Sequence, residues 1–138
     1  RFNVPVIYSD DIVLQRMSCM NCNDDDVVVI ISHTGRTKSQ VELAQLAREN
    51  DAMVIAITSA DTPLAREATL SITLDVPEDT DIYMPMVSRL AQLTVIDVLA
   101  TGFTLRRGAK FRDNLKRVKE ALKASRFDKE LPVHSDNP

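Results

Sequence analysis

Apolar and polar positions along this chain switch between two periods, and each switch marks an element. Val4-Pro5-Val6-Ile7-Tyr8 reads as a short strand, and Pro5, which lacks a ladder donor, puts it at a sheet edge. The spacing of Ile12, Val13, Gln15, Met17 and Met20 predicts a helix capped by Ser9 or Asp10. After a polar turn over Asn21 to Asp26 comes Val27-Val28-Val29-Ile30-Ile31, a continuous β-branched run of the kind buried on both faces in parallel sheets. It breaks into Ser32-His33-Thr34-Gly35-Arg36-Thr37, and a helix follows with Val41, Leu43, Ala44, Leu46 and Ala47 on its apolar side, ending near Glu49-Asn50-Asp51. Met53 to Thr58 is a second buried strand. Asp61-Thr62-Pro63 starts a short helix over 64–68, and Leu70 to Leu74 alternates as a half-wet strand.

Val76 to Asp81 is an acidic loop. The longest helix then runs from about Met84 to Thr101, with Val87, Leu90, Ala91, Leu93, Val95, Ile96, Val98 and Leu99 nearly encircling it. Such a helix must be covered on more than one side, and in so short a chain another subunit is the natural second cover. Gly102 is its expected stop. A last helix, from about Arg107 to Ala124, carries a narrow stripe of Phe111, Leu115, Val118 and Leu122. Arg106, Arg107, Lys110, Arg112, Lys116, Arg117, Lys119 and Lys123 fill its other faces. That charge reads as a solvated or partner-packing face rather than a nucleic-acid surface. Strands alternating with helices give an α/β fold, a three-layer αβα sandwich around a parallel sheet. Ligands in such sheets sit at the carboxyl ends of strands.

Composition narrows the function. The 138 residues suit one domain, expected over 1–126, with a polar, disordered tail over 127–138. A net charge of −3 speaks against unspecific nucleic-acid binding. No apolar run approaches the roughly 18 residues a membrane span needs, and no signal-peptide pattern is present, so the expected location is the cytoplasm, away from any membrane. The chain opens on Arg1 rather than Met, which reads as a fragment or processed product. Cys19 and Cys22 form a lone C-x-x-C, whose spacing suits a redox pair or half a zinc site. A zinc site would want two further ligands; the only histidines are His33 and His134, there is no third cysteine, and the pair closes a helix instead of opening one. Structural cysteines are the expectation. Asp24, Asp25 and Asp26 read as a solvated turn rather than a calcium loop. No metal or cofactor is expected.

The Ser32–Thr37 loop is the candidate site. At a strand-to-helix turn the first helical N–H groups lack partners and the dipole's positive end faces outward; hydroxyls add donors, and Gly35 lets the backbone come close. This composition suits a phosphate site, but also an ordinary helix cap.

Ile31 to Thr37, followed by a helix, resembles the S-x-S/T-G-x-T phosphate loop of sugar isomerase (SIS) domains. Ser88-Arg89-Leu90-Ala91-Gln92-Leu93, with Ile96-Asp97 just after, is similar to the SIS domain of RpiR-type transcriptional regulators and is the more specific match. The resemblance covers nearly the whole chain except its tail. It implies the flavodoxin-like 2-1-3-4-5 strand order, with the first strand absent from this chain and falling between Val4–Tyr8 and Val27–Ile31. It also implies operator-DNA binding through an N-terminal helix-turn-helix domain absent here, a homodimer, and control of hexose catabolism by a phosphorylated sugar acid, 2-keto-3-deoxy-6-phosphogluconate. By motif position Ser32, Thr34, Gly35 and Thr37 would hold the phosphate, with Arg36 and Lys38 adding attraction. Ser59, Glu78 and His33 are weaker candidates for the sugar. SIS domains also serve as aldose–ketose isomerases, and Glu78 resembles in position the glutamate that moves their proton. Its spacing to the long helix departs from that pattern and no suitably placed lysine follows, so a sensor rather than an enzyme is expected. A Rossmann-type nucleotide site is disfavoured by the lack of G-x-G-x-x-G.

Overall fold

A computed structural model describes residues 4–79 and 86–123. The chain divides into two compact units, one of Val6–Val98 and one of Arg1–Pro5 with Leu99–Pro138. In order along the chain, the elements are α1 (Ile12–Met20), β1 (Val27–Ile31), α2 (Lys38–Glu49), β2 (Met53–Thr58), α3 (Pro63–Glu67), β3 (Leu70–Thr73), α4 (Val87–Arg106) and α5 (Gly108–Lys123).

The larger unit is built on a parallel sheet of order β1-β2-β3, with Val27 opposite Met53, Ile31 opposite Ile57, and Ile55 opposite Leu70. Strands run parallel because a helix carries the chain back between them, α2 after β1 and α3 after β2. The core lies between the sheet and α2. Ile30, Val54 and Ala56 meet Leu43, Ala44, Ala47 and Leu64, all buried, with Cys19 from α1 closing one end. Alanines at 44, 47 and 56 let the α2 backbone come close to the strands. Ile57, on the opposite pleat from Val54 and Ala56, is also fully buried. No helix among the described residues is long and apolar enough to cross a membrane.

Several sequence expectations change. Val4–Tyr8 is not a strand; Val6, Ile7 and Tyr8 are 80–87% exposed. Pro5 offers no N–H, and extended chain becomes a strand only against a neighbour. Among the described residues β1 is an edge strand, and its alternate residues Val27, Val29 and Ile31 are exposed, so its apolar run is covered on one face by α2 and open on the other. The first helix is capped one residue later than expected. Asp11 accepts the Val13 and Leu14 N–H groups at 2.9 Å, while Ser9 Oγ accepts from Asp11 N. β3 stops at Thr73, though Leu74 N still donates to Thr58 O at 2.9 Å. Met84, the expected start of the long helix, lies outside the described residues, as do Ala124 and the 127–138 tail.

Gly102 does not stop α4, which runs through it to Arg106; the break falls at Arg107–Gly108, where Gly108 takes φ +75°. A glycine inside a helix costs only about 1 kcal/mol, whereas a left-handed φ ends one. In the smaller unit, Phe103 and Phe111 meet edge to face at 6.0 Å. The Arg107 guanidinium lies 4.8 Å and 5.4 Å from their ring centres. Arg107 is therefore held on aromatic rings and is not simply part of a solvated basic face.

Candidate functional site

The site is built at the carboxyl ends of β1 and β2, where two hydroxyl-rich loops are laced together. Ser32 continues the ladder, its N–H donating to Ile57 O at 3.0 Å. His33 contributes its carbonyl, which accepts from Ser59 N at 3.0 Å and from the Ser59 hydroxyl at 2.8 Å. Gly35 turns the chain with φ +58°. Its N–H donates to Ser32 Oγ at 3.2 Å and its carbonyl accepts from Leu64 N at 3.0 Å, tying the loop to the first turn of α3.

Gly35 is required twice over. Its φ lies in the left-handed region, and a Cβ there would press into the Thr62 and Thr58 side chains, including Thr62 Cβ at 2.6 Å. Those two threonines are buried. Their hydroxyls lie 3.4 Å apart, Thr62 Oγ1 reaches Ser59 O at 3.2 Å, and it caps α3 by accepting from Ala65 N at 3.2 Å. Sequence reasoning saw Thr58 as a strand end and Thr62 as a helix start, but not as the wall behind Gly35. The available signal was the repeat of the same device, hydroxyls closing a buried strand before a helix.

Around this scaffold the remaining groups face water. Thr37 is the N-cap of α2 in extended conformation, with no side-chain capping bond. Its carbonyl accepts from Gln40 N and Val41 N. Thr34, Arg36 and Thr37 are exposed, and the Lys38 ammonium, 4.0 Å from Glu42, has a side chain 91% exposed. The arrangement offers an anion a helix N-terminus, free-standing hydroxyls and nearby positive charge.

Glu78 holds the start of α4. Its carboxylate accepts from Met86 N at 2.6 Å, Val87 N at 2.7 Å and Ser88 N at 3.3 Å, and from the Ser88 hydroxyl. The Ser88 hydroxyl foremost, and then the backbone donors, hold its pKa down at about 2. A carboxylate so held caps α4; it is poorly suited to taking up and releasing a proton near neutral pH. Of the seven sequence candidates, Ser32, His33, Thr34, Gly35, Thr37 and Ser59 are gathered at the two loops, and Glu78 stands at the start of α4.

Cys19 and Cys22 are free thiols, Cys19 buried and Cys22 donating from Sγ to Ser18 O at 3.2 Å. Burial pushes both thiols up, with the charge of Cys22 adding to it for Cys19 and that of Asp26 for Cys22. Among the described residues no three His, Cys, Asp or Glu side chains gather as a metal site would require.

The SIS domain family matches residues 2–102. The chain is 89% identical over 137 residues to the HTH-type transcriptional regulator HexR of Escherichia coli (strain K12), covering 99% of this chain and 47% of that protein. It is 52% identical to the HexR of Pseudomonas aeruginosa with the same coverage, so it spans about half the length of these curated relatives. The structure described as "the Vibrio vulnificus NanR protein complexed with ManNAc-6P" superposes with a TM-score of 0.80 at 23% identity. It covers 92% of this chain and 48% of that one, and shows that the αβα fold is shared. Motif, fold and family match agree: this chain belongs to the SIS domain family.

Proposed function

We propose that this chain is the effector-sensing part of a transcriptional regulator of hexose catabolism, taking a phosphorylated sugar acid at the Ser32–Thr37 loop. The observation that carries this reading is the loop itself. Gly35 is seated against Thr58 and Thr62, so the turn is preformed, while the Thr37 hydroxyl at the α2 N-terminus makes no capping bond. Ser32, Thr34, Gly35 and Thr37 hold the phosphate, Arg36 and Lys38 draw it in, and Ser59 and His33 face the sugar. Glu78 serves the site by fixing α4 and is not assigned a proton-transfer step, so no turnover is expected. The relatives' name, HTH-type transcriptional regulator, supports DNA binding through a domain outside this chain. The ManNAc-6P complexed with the NanR protein supports a sugar-phosphate effector. We take the effector to be 2-keto-3-deoxy-6-phosphogluconate and the working form to be a cytoplasmic homodimer. The effector then acts by favouring one arrangement of the subunits, because equal affinity for both would shift nothing.

The test is calorimetric titration of 2-keto-3-deoxy-6-phosphogluconate into this chain and into the longer regulator. Binding to both places most of the affinity in this loop. Binding to the longer protein alone means residues outside this chain complete the site. Binding to neither overturns the effector.

A further inference from the structure

The chain's charge is unevenly spread. Residues 106–123 hold eight of its 17 Lys and Arg but two of its 20 Asp and Glu, which sets that stretch at +6 against −9 for the rest. Within α5, Arg112, Lys116, Lys119 and Lys123 recur at i, i+4, i+7 and i+11. They therefore fall within about 60° of one another around the helix and span about 16 Å along it. All four are exposed. Lys116 lies 3.5 Å from Asp113, yet its side chain is 78% exposed, and among the described residues Arg112, Lys119 and Lys123 make no ion pair. Arg117 stands on another side of the helix and donates to Asn114 at 3.3 Å.

Such a stripe suits a polyanion, and its surroundings select which one. A helix lying in a membrane surface must sink its apolar side into lipid. Here Phe111 is buried, meeting Phe103 edge to face, and Leu115 and Val118 are half-buried, so of that side only Leu122 is exposed. Single-stranded nucleic acid is held by bases stacked on aromatic rings, and α5 has no aromatic residue besides Phe111. The backbone of a duplex remains. One strand presents a phosphate about every 3.4 Å along the axis, so a row of about 16 Å runs beside about five of them. Contacts of that kind position a protein without reading sequence. The total of −3 is no bar, because at about 0.1 M salt exposed charges more than about 10 Å apart are largely screened.

We propose that the stripe of Arg112, Lys116, Lys119 and Lys123 on α5 is a second DNA contact. It holds the phosphate backbone of duplex DNA, independently of sequence and apart from any helix-turn-helix domain. The inference rests on the reading of this chain as part of a DNA-binding regulator. Its test uses neither operator nor effector, so its failure leaves operator binding by the longer regulator to be judged on its own.

The experiment is fluorescence anisotropy of a labelled duplex of mixed sequence, about 30 base pairs long, titrated with the intact chain and with the longer regulator between about 50 and 200 mM salt. The chain is expected to bind whatever the sequence, with affinity falling about 100-fold across that range, as about four phosphate contacts require. Arg112→Gln, Lys116→Gln, Lys119→Gln and Lys123→Gln together keep helix propensity and should leave the circular dichroism spectrum unchanged. They should abolish binding by the chain and flatten the salt slope of the longer regulator by about 3. Lys119→Gln alone should flatten the chain's slope by about 0.9, whereas Arg117→Gln, which removes the same charge off the stripe, should leave it as it was. A chain that ignores the duplex, a fourfold variant that binds like the parent, equal losses from Lys119→Gln and Arg117→Gln, or binding to phosphatidylglycerol vesicles but not to DNA would each overturn the proposal.

Discussion

The carboxylate of Glu78 closes on Ser88 from ten residues away, accepting both its hydroxyl and its backbone N–H, while Met86 and Val87 donate to the same group. All four bonds favour the ionised form. The folded pKa, about 2, therefore lies below the ordinary carboxylate range. The stabilisation is complete above that range and is lost as pH falls toward 2. Thermal melts of wild type and Glu78→Gln should differ most at neutral pH and converge near pH 2. A gap that stays constant with pH would mean the charge of Glu78 is not what holds α4.

Gly35→Ala should be the most damaging change in the loop. The new methyl group must accept φ +58° and displace Thr62 and Thr58, both buried. The left-handed conformation and the overpacking together cost about 2–4 kcal/mol. Chemical denaturation should show that loss, and effector binding should fall with it.

Ser32 and Thr37 separate stability from binding. Ser32→Ala removes the acceptor for Gly35 N, at a cost of about 1 kcal/mol, and should weaken the effector response without unfolding the domain. Thr37 makes no side-chain cap, so Thr37→Ala should leave stability within about 0.5 kcal/mol. It should still reduce effector binding, less than Ser32→Ala does, because backbone donors remain. A normal effector response in Ser32→Ala would refute the loop assignment.

The two thiols should react slowly and unequally. Burial raises both, so at neutral pH little thiolate is present, and Cys19 is the more deeply covered. Alkylation of the native chain should modify Cys22 first, with Cys19 following only as the protein unfolds. Equal, rapid labelling would contradict that packing.

The parts legible in the sequence were those set by local chemistry. β1 and β2 lie where their β-branched runs begin and end, and α3 starts at Thr62-Pro63, because Pro at the first turn and a hydroxyl cap are local devices. What failed depended on neighbours. Val4–Tyr8 has strand composition but no paired strand, and β1 has a core composition but only one covered face. Gly102 and Gly108 are the same residue six positions apart. Which one ends α4 is decided by backbone φ, here by the turn at which Arg107 settles on Phe103 and Phe111. In the site, the Gly35 turn was readable and its backing by Thr58 and Thr62 was not, since that contact joins loops more than twenty residues apart.

The lacing of those loops sets how movement spreads. His33 O to Ser59 N and Gly35 O to Leu64 N are two short struts from one loop to the other. With Gly35 wedged on the threonines, no slack remains for the first loop to swing like a flap. The Gly35 carbonyl ties the first loop to the foot of α3, so a displacement of that loop is expected to draw α3 and the second loop with it.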